Sequence, residues 1–329
     1  MKKKTRSFPI GILKLEALLR RLKANPVRRS KIEEELARKY AGYRGEQALD
    51  YHVAQIPSKQ HLIFQDLRLP LSKEVYFQID LLLLSQRSFL ILEEKNIAGT
   101  IFIDQNQMIR TIDEKEDSFP NPIQQVENQQ YHFGNLLKNH SKFPLPNNSF
   151  VVMTNSSSII KPNPDYRAVA QKVIRPAAIR QRVSGFYSGH EKELIENKEL
   201  QKFSRQLIKS HIPSDPDIVG QFQIDKDEIM NGISCEKCCC LTVKKRQRNW
   251  KCAKCGHLSK NAHIQALIDY RLLIGSTITN SQCKNFLQLS SVSITSKLLR
   301  SLNLPGSGEN KNRSYILSLS ELQKMIRPL

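Results

Sequence analysis

The first forty residues carry apolar side chains at the three-to-four-residue spacing of amphipathic helices, interleaved with basic residues. Pro26 is predicted to end the first helix, because proline interrupts helical hydrogen bonding. Ser30, with an acid three residues later, is predicted to cap a second helix. A third helix is predicted from Gly42 to about Ile56. The chain is therefore expected to be helical before any strand signal begins.

Strand signals dominate the next part of the chain, where β-branched and apolar residues form short runs. The run from Ile79 to Leu84 shows no alternation, which predicts a strand buried on both faces. Helices are predicted at 122–138, opened by Pro122, and at about 191–209. Strands interrupted by helices indicate an α/β or α+β core. The predicted strands are 61–69, 75–84, 88–94, 100–104, 107–112, 150–154 and a short one near Val173.

Acidic residues stand at the ends of two neighbouring runs of this predicted core. Asp80 lies in one run, and Glu93 comes near the end of the next. Lys95 is predicted to share the face of Glu93, with Glu94 on the opposite face, because strand side chains alternate. Two such carboxylates can share Mg²⁺ or Mn²⁺, with Lys95 neutralising charge, and Glu46 could add a helix-borne carboxylate. Ordinary ion pairs on a sheet would explain the same residues.

The segment from Gly42 to about His132 resembles the nuclease-related domain family, known as NERD. Four motifs carry the resemblance, and they occur in the family's order over some 90 residues. They are Gly42-Tyr43-Arg44-Gly45-Glu46, Gln78-Ile79-Asp80, Phe89-Leu90-Ile91-Leu92-Glu93-Glu94-Lys95-Asn96 with Gly99 behind it, and Asn121-Pro122-Ile123-Gln124-Gln125.

The resemblance implies a restriction-endonuclease-like fold, with a mixed β-sheet core flanked by helices. It implies catalytic roles for Glu46, Asp80, Glu93, Lys95 and Gln125, with Asp80 and Glu93 as ligands of Mg²⁺ or Mn²⁺. Without it, Gln125 would be assigned to the solvated face of a helix. The function expected is metal-dependent hydrolysis of DNA phosphodiester bonds. The alternative is a DNA-binding adaptor or regulator that no longer cleaves, since such folds can keep binding after losing activity.

Charge supports a polyanionic partner, since 51 Lys and Arg against 31 Asp and Glu give a formal charge of +20. DNA is the expected partner, with RNA as a lesser alternative and an anionic membrane surface as a minor one. The most apolar run is too short to span a bilayer, and no cleavage site follows the amphipathic N-terminal segment. A cytoplasmic location is therefore expected. The oligomeric state is left open.

Six of the seven cysteines lie between Cys235 and Cys255. Cys235-x-x-Cys238 and Cys252-x-x-Cys255 are separated by 13 residues, a spacing typical of a zinc ribbon with four thiolates around structural Zn²⁺. Reduced structural thiols or two disulfides are the alternatives. Either neighbouring thiol, Cys239 or Cys240, could replace Cys238 as a ligand, and His257 is close enough to be another.

Basic residues near the cysteines and in the C-terminal segment are candidates for nucleic-acid contact. Two short helices and a Gly-rich hairpin follow the cysteines and resemble a winged helix-turn-helix, whose second helix enters the major groove. A solvated surface or a protein-docking module would explain the same pattern. The candidates are Lys244, Lys245, Arg246 and Arg248 in the cysteine hairpin, and Lys297, Arg300, Lys311 and Arg313 in the C-terminal segment.

The second of these helices is predicted at Val292–Leu302, capped by Ser290 and Ser291. It is expected to bury Val292 and to expose Thr295. The whole chain then divides into four parts. These are an N-terminal helical segment at 1–40, a nuclease-like domain at 41–230, a zinc ribbon at 231–260 and a winged-helix-like module at 261–329.

Overall fold

The computed structural model describes residues 1–23, 25–56, 61–138, 144–247, 249–309 and 313–326. The chain forms two compact units. Unit 1 comprises Met1–Pro9 and Lys39–Ser214, and unit 2 comprises Ile10–Arg38 and Asp215–Leu329. The division of the chain into four parts stays a prediction.

The helices and strands of the described residues alternate through both units, as expected for a mixed α/β protein. The helices are α1 (Ile10–Arg21), α2 (Pro26–Ala54), α3 (Pro122–Lys138), α4 (Ala168–Lys172), α5 (Ile179–Ser188), α6 (Asn197–Ser210), α7 (Ile218–Gln221), α8 (Ala262–Leu273), α9 (Asn280–Leu287), α10 (Val292–Ser301) and α11 (Leu319–Ile326). The strands are β1 (Lys2–Lys4), β2 (Leu62–Pro70), β3 (Tyr76–Leu84), β4 (Phe89–Lys95), β5 (Gly99–Ile103), β6 (Gln107–Ile112), β7 (Lys115–Pro120), β8 (Asn147–Met153), β9 (Ser158–Ile160), β10 (Val173–Ile174), β11 (Val243–Arg246), β12 (Asn249–Cys252), β13 (Leu258–Ser259), β14 (Thr277–Thr279), β15 (Gly306–Ser307) and β16 (Ser314–Ile316).

Unit 1 is built on a six-stranded sheet in the order β1-β2-β3-β4-β8-β10. The pairs β2–β3 and β3–β4 are antiparallel, whereas β1–β2, β4–β8 and β8–β10 are parallel. The sheet is therefore mixed, which confirms the expected fold class. A second sheet, in the order β7-β6-β5-β9, follows the last residues of β4. Its edge strand β7 is polar and mostly exposed, so no hydrophobic pattern predicted it.

Helices cover both faces of the six-stranded sheet. On one face, α3 packs Ile123, Val126 and Phe133 into the cluster that contains Ile91 of β4. On the other face, α2 contributes Leu49 and Val53 to a cluster with Leu90 and Leu92 of β4. Because both faces are covered, the strand residues Leu81–Leu84 are all buried, as the unbroken apolar run predicts.

The predicted helix break near Pro26 is confirmed, because α1 ends at Arg21 and α2 begins at Pro26. The predicted starts of a second helix at Ser30 and of a third helix at Gly42 were wrong, because α2 runs without interruption from Pro26 to Ala54. Proline is well tolerated in the first turn of a helix, where its missing N–H would have no intrahelical partner. Ser30 consequently lies inside α2, and its side chain bonds to Glu34 rather than capping a new helix.

Unit 2 contains two small three-stranded sheets, in the orders β11-β12-β13 and β14-β16-β15. One hydrophobic cluster joins the buried Trp250 of β12 to Leu267 of α8 and Leu299 of α10. A buried ion pair ties α1 to α8, with Arg21 Nε 2.8 Å from Asp269 Oδ2 and both side chains fully buried. No helix in the described part of the chain has the length and apolar character needed to cross a membrane.

Candidate functional site

Glu46, Asp80, Glu93 and Glu94 of unit 1 interact electrostatically and are called the carboxylate cluster here. The cluster lies where the two neighbouring strands β2 and β3 are irregular. Along β2 and β3 the pairing runs from Gln65–Leu81 to Leu67–Ile79 and skips the position of Asp66 and Asp80. Asp66 has a φ of 52°, in the left-handed region that few non-glycine residues adopt. Regular alternation therefore breaks at Asp80, where the strand changes the faces that its side chains occupy.

Glu93 lies on the α3 side of the sheet, where three side chains donate to it. Lys95 Nζ and Gln125 Nε2 each lie 2.6 Å from Glu93 Oε1. Gln129 Nε2 lies 2.8 Å from Glu93 Oε2. Lys95 thus shares the face of Glu93, as strand alternation predicts, and Gln125 reaches the same carboxylate from α3. The side-chain oxygen of Gln129 is buried with no hydrogen-bond partner among the described residues.

Glu94 points to the α2 side of the sheet. Its carboxylate accepts a hydrogen bond from Thr154 Oγ1, and its backbone N–H donates to Asp80 Oδ2 over 3.0 Å. The helix α2 approaches so closely that a Cβ added to Gly45 would overlap with Glu94 Oε1. Glycine at position 45 therefore leaves the space that Glu94 fills.

Arg6, from the segment that follows β1, reaches the same cluster from the edge of the sheet. Its guanidinium lies 3.0 Å from Glu46 Oε2 and 3.1 Å from Asp50 Oδ2. It also donates to the backbone carbonyl of Asp80 over 2.9 Å. Glu46 therefore belongs to the cluster as expected, but its partner is an arginine that no sequence pattern had identified.

Crowding of these carboxylates in a buried site raises their affinity for protons. Burial raises the pKa of Glu46 to about 7, with Arg6 opposing the rise and Asp80 adding to it. Burial raises the pKa of Glu94 to about 8, against the hydrogen bond from Thr154. Burial and the charge of Asp80 also raise the pKa of Glu93. Burial opposes the charged form of Lys95, but attraction to Glu93 and Asp80 outweighs it and raises the pKa of that ammonium group.

The donor set fits a hard divalent cation. All the candidate ligands are oxygens, and Gln129 offers an unpartnered acceptor beside Glu93 for metal-bound water. The carboxylate pKa values are raised mainly by burial, a cost that a bound cation would offset. The carboxylate oxygens are not gathered as a finished cage. Among the described residues, only four cysteines bring three or more His, Cys, Asp or Glu ligand atoms within 4.8 Å of one another.

The four cysteines that meet are Cys235, Cys238, Cys252 and Cys255. The Sγ atoms lie 3.6 Å apart in two pairs, Cys235 with Cys255 and Cys238 with Cys252. Tetrahedral coordination with Zn–S bonds of about 2.3 Å separates the sulfurs by about 3.8 Å. The spacing therefore fits a four-thiolate metal site, and all four are free thiols rather than disulfides.

The two cysteine pairs are held by matching turns. Cys239 N donates to Cys235 O over 2.9 Å, and Gly256 N donates to Cys252 O over 3.0 Å. Both turn residues have positive φ, 56° at Cys239 and 71° at Gly256. None of the alternative ligands Cys239, Cys240 and His257 belongs to the cluster, and Cys240 bonds instead to the Cys238 carbonyl.

The basic candidates of the cysteine hairpin lie on β11. Lys244 and Arg246 are exposed, whereas Lys245 is half-buried with its ammonium 4.7 Å from the centre of the Trp250 ring. Arg248, the fourth candidate of this hairpin, lies outside the described residues.

The C-terminal candidates belong to a helix–strand–helix–helix–hairpin arrangement formed by α8, β14, α9, α10 and the β15–β16 pair. Lys297 and Arg300 are exposed on α10, and Arg313 is exposed just before β16. Lys311 lies outside the described residues. The order and the antiparallel sheet are compatible with a winged helix.

Two burial predictions for α10 were wrong. Val292 is 58% exposed, and Thr295 is fully buried. Ser291 caps the helix by accepting from Ile294 N over 3.2 Å, and Thr295 Oγ1 donates back to Ser291 O over 2.9 Å. This local hydrogen bond satisfies the hydroxyl, so Thr295 can enter the core while Val292, in the first turn, remains at the surface.

Sequence reasoning missed several residues around the carboxylate cluster, among them Gln129 and Arg6. Gln129 follows Gln125 by one helical turn, so the four-residue spacing was a usable signal that the two amides share a face. Arg6 had no such signal, because only the folded chain brings it to Glu46.

One family model matches part of unit 1. Residues 41–154 match the family model described as the nuclease-related domain. The match contains Glu46, Asp80, Glu93, Lys95 and Gln125 and leaves out Arg6 and the cysteine cluster. No curated protein and no solved structure matches the chain.

Proposed function

Because residues 41–154 are a nuclease-related domain, we propose that this chain is a divalent-metal-dependent nuclease that hydrolyses phosphodiester bonds of DNA. The observation that carries the proposal is the cluster around Glu93. There a buried carboxylate, the neighbouring Asp80 and the Lys95 ammonium converge within the segment that the family model matches. Buried ionisable groups with shifted pKa values cluster at functional sites, which supports this assignment.

Asp80 and Glu93 would hold Mg²⁺ or Mn²⁺, which when bound would activate water and stabilise charge on the scissile phosphate. Lys95 places a positive charge beside Glu93 and would orient the attacking water and neutralise developing charge. Gln125 and Gln129 donate to opposite oxygens of Glu93 and so fix the orientation of its carboxylate. Glu46 adds a carboxylate on the α2 side of the cluster.

The cysteine cluster would hold structural Zn²⁺. Four thiolates close a tetrahedral site and leave no position for a substrate, so its role is folding of the ribbon. We assign substrate contact to the basic residues of the ribbon hairpin and of the winged-helix-like segment. They are Lys244, Lys245, Arg246 and Arg248, and Lys297, Arg300, Lys311 and Arg313.

A second candidate function is DNA binding without cleavage. It is favoured by one observation about the ion pairs of the site. Lys95 already pairs with Glu93 and Arg6 with Glu46, and among the described residues the carboxylate oxygens do not come close enough together to surround a metal ion. A chain of this kind would act as an adaptor or regulator, and its effect would not depend on the charge of Asp80.

A cleavage time course tests the proposal. Wild type, Asp80→Asn, Lys95→Ala and Asp165→Asn are compared on linear duplex, circular duplex and single-stranded DNA and on RNA, with Mg²⁺, Mn²⁺ or EDTA. Asp165 is an exposed acid of unit 1 outside the cluster, so its variant is a charge-matched control for Asp80→Asn. We expect Asp80→Asn and Lys95→Ala to lose about 10²–10³ in rate, with the control unchanged. Binding without metal-dependent cleavage by wild type would favour the adaptor, and preferential cleavage of RNA would change the substrate.

A further inference from the structure

The N-terminal arm of unit 1, residues 1–9, delivers a positive charge into the carboxylate cluster. Lys4 Nζ donates to the carbonyl of Gln65 over 2.8 Å, and Arg6 N donates to the Gln65 side chain over 3.2 Å. These bonds anchor the arm along β2 next to Asp66, where the strand pairing is irregular. These bonds therefore fix the position of Arg6 relative to the carboxylate cluster.

Arg6 is positioned as a cation of the site itself. Its side chain is only 5% exposed and contacts Glu46, Asp50 and the carbonyl of Asp80. A buried guanidinium requires negative partners, and buried carboxylates require positive ones. In this arrangement Arg6 supplies to Glu46 the charge compensation that a divalent cation would otherwise supply.

We propose that Arg6 is a built-in competitor of the divalent cation, so that the N-terminal arm sets the metal affinity of the carboxylate cluster. The inference rests on the proposed metal-dependent function, and it concerns a residue outside the segment that the family model matches. A nearby positive charge repels a second cation and also holds Glu46 in an ion pair. Metal binding and the contacts of the arm are then linked, and each weakens the other.

The test is calorimetric titration of the full chain with Mg²⁺ alone at pH 8.5, where the Glu46 carboxylate, with a pKa of about 7, is ionised. We expect Arg6→Gln to bind Mg²⁺ about tenfold more tightly, the scale on which one neighbouring charge changes carboxylate affinity for a proton. Arg6→Lys keeps the charge and should stay close to wild type. Arg110→Gln removes another arginine of unit 1, whose Nε lies 3.1 Å from Asp117, and serves as the matched control.

The alternative role for Arg6 is anchoring of the arm. In that case Arg6→Gln lowers the thermal unfolding temperature and leaves the Mg²⁺ dissociation constant equal to that of wild type, which overturns the proposal. Absence of Mg²⁺ binding in every variant would overturn the metal site itself, whereas unchanged binding across the set overturns only the role of Arg6.

A separate observation concerns the surface of α6. Its four cations, Lys198, Lys202, Arg205 and Lys209, are all exposed and follow the spacing of a single helix face. The opposite face of α6 is buried in the core of unit 1. It contributes Leu200, Phe203 and Leu207 to the cluster that also contains Ile91 of β4.

The residues that follow this basic stripe contact β2 near the irregular position of Asp66. Just after α6, His211 Nδ1 accepts from the backbone N–H of Arg68 over 3.1 Å, and Ile212 N donates to Arg68 O over 3.1 Å. Arg68 lies on β2 two residues after Asp66, which belongs to the irregular position opposite Asp80. A helix rises about 1.5 Å per residue, so the stripe extends for about 16 Å towards the site.

We infer that the α6 stripe, Lys198 to Lys209, is a track for the phosphate backbone of the nucleic acid that leads to the cleavage site. The inference deepens the proposed function, because it assigns a substrate surface to unit 1 in addition to those of unit 2. A strand carries one phosphate per about 3.4 Å of duplex axis, so a 16 Å stripe faces about five phosphates.

Binding of a fluorescent duplex by the full chain in EDTA, measured by anisotropy at several salt concentrations, tests the track. Replacing all four stripe residues by Gln should reduce the slope of log affinity against log salt by about 3 to 4, since each phosphate contact contributes about 0.9. The matched control replaces four scattered exposed lysines of unit 1 by Gln and should change the slope little. These are Lys73, Lys115, Lys161 and Lys192.

Equal loss in the two quadruple variants would show that only net charge matters and would overturn the track. The track is also overturned if the stripe variant loses binding to anionic vesicles but keeps its affinity and salt slope for DNA. If wild type binds DNA but never cleaves it, the nuclease proposal is overturned. If the stripe variant then still shows the smaller salt slope, the stripe is supported as a phosphate-binding surface.

Discussion

The carboxylate cluster of unit 1 and the cysteine cluster of unit 2 are both candidate metal sites, and the chain forms them differently. The cysteines come from one short segment, and their sulfurs already stand 3.6 Å apart in two pairs. The carboxylates come from α2, β3 and β4, where Arg6 partners Glu46 and Lys95 with two glutamines partners Glu93. Local turns position the four cysteines, whereas tertiary packing brings the carboxylates together and buries their charges.

Acid should weaken metal binding at both sites, because thiolates and carboxylates must both lose protons to bind metal, but it should stabilise the metal-free carboxylate cluster. Thiolates must lose protons to bind metal, so acid weakens the cysteine site. The buried carboxylates have pKa values raised above the ordinary value, so without a cation they are more easily accommodated when protonated. In the proposed function, metal would contribute to folding at the cysteine site and to charge compensation at the carboxylate site.

The largest expected effect is loss of the cysteine site. Cys252→Ser removes a ligand whose Sγ lies 3.6 Å from Cys238 Sγ. Metal binding contributes about 10 kcal/mol or more to folding in isolated zinc modules, so the ribbon should lose both zinc and structure. Elemental analysis and thermal unfolding measure the outcome. Cys240→Ser is the control, since Cys240 lies outside the cluster and should keep zinc bound; equal zinc loss in both variants would contradict the assigned ligand set.

The next largest effect concerns Glu94 in unit 1. Its folded-state pKa of about 8 lies above the ordinary 4.5, so the folded state binds more protons between these values. Stability from this group is fully present below pH 4.5 and is lost as pH rises through 8. Each pKa unit corresponds to about 1.4 kcal/mol, so the loss amounts to a few kcal/mol.

Glu94→Gln removes this titration while keeping an oxygen that can accept from Thr154. Denaturant unfolding of the metal-free protein should show the variant more stable than wild type at pH 9, with the difference shrinking towards pH 5. A constant difference across this range would mean that Glu94 does not titrate in the folded protein.

The smallest effect compares two glycines on α2. Gly45→Ala would place a Cβ 2.7 Å from Asn96 Cβ and closer still to Glu94, which is expected to cost about 1–3 kcal/mol. Gly42→Ala meets nothing within 4 Å and should stabilise the same helix by about 0.5–1 kcal/mol. Chemical denaturation measures both, and destabilisation by Gly42→Ala as large as by Gly45→Ala would contradict the close approach of α2 to Glu94.

The sequence was sufficient where the signal was local. The helix at Pro122–Lys138 begins and ends where proline and the apolar spacing predict, and the cysteine knuckles follow from two short motifs. The mixed sheet follows from strands interrupted by helices. The motifs of the nuclease-related domain named the residues Asp80, Glu93 and Lys95 before their geometry was known.

Features that depend on distant parts of the chain could not be predicted in this way. Arg6 meets Glu46 only after β1 has paired with β2, and the edge strand β7 has too few apolar residues to show a pattern. Thr295 enters the core because a backbone carbonyl one turn away satisfies its hydroxyl, which a binary hydrophobic pattern does not represent.

The most direct test of the account is anomalous diffraction from crystals of the full chain soaked in Mn²⁺, recorded at the manganese and zinc absorption edges. The account predicts a zinc peak among Cys235, Cys238, Cys252 and Cys255, and a manganese peak bound by Asp80 and Glu93. A zinc peak at the cysteines without manganese at the carboxylates, at saturating Mn²⁺, would contradict the central claim that the cluster around Glu93 is a divalent-metal site.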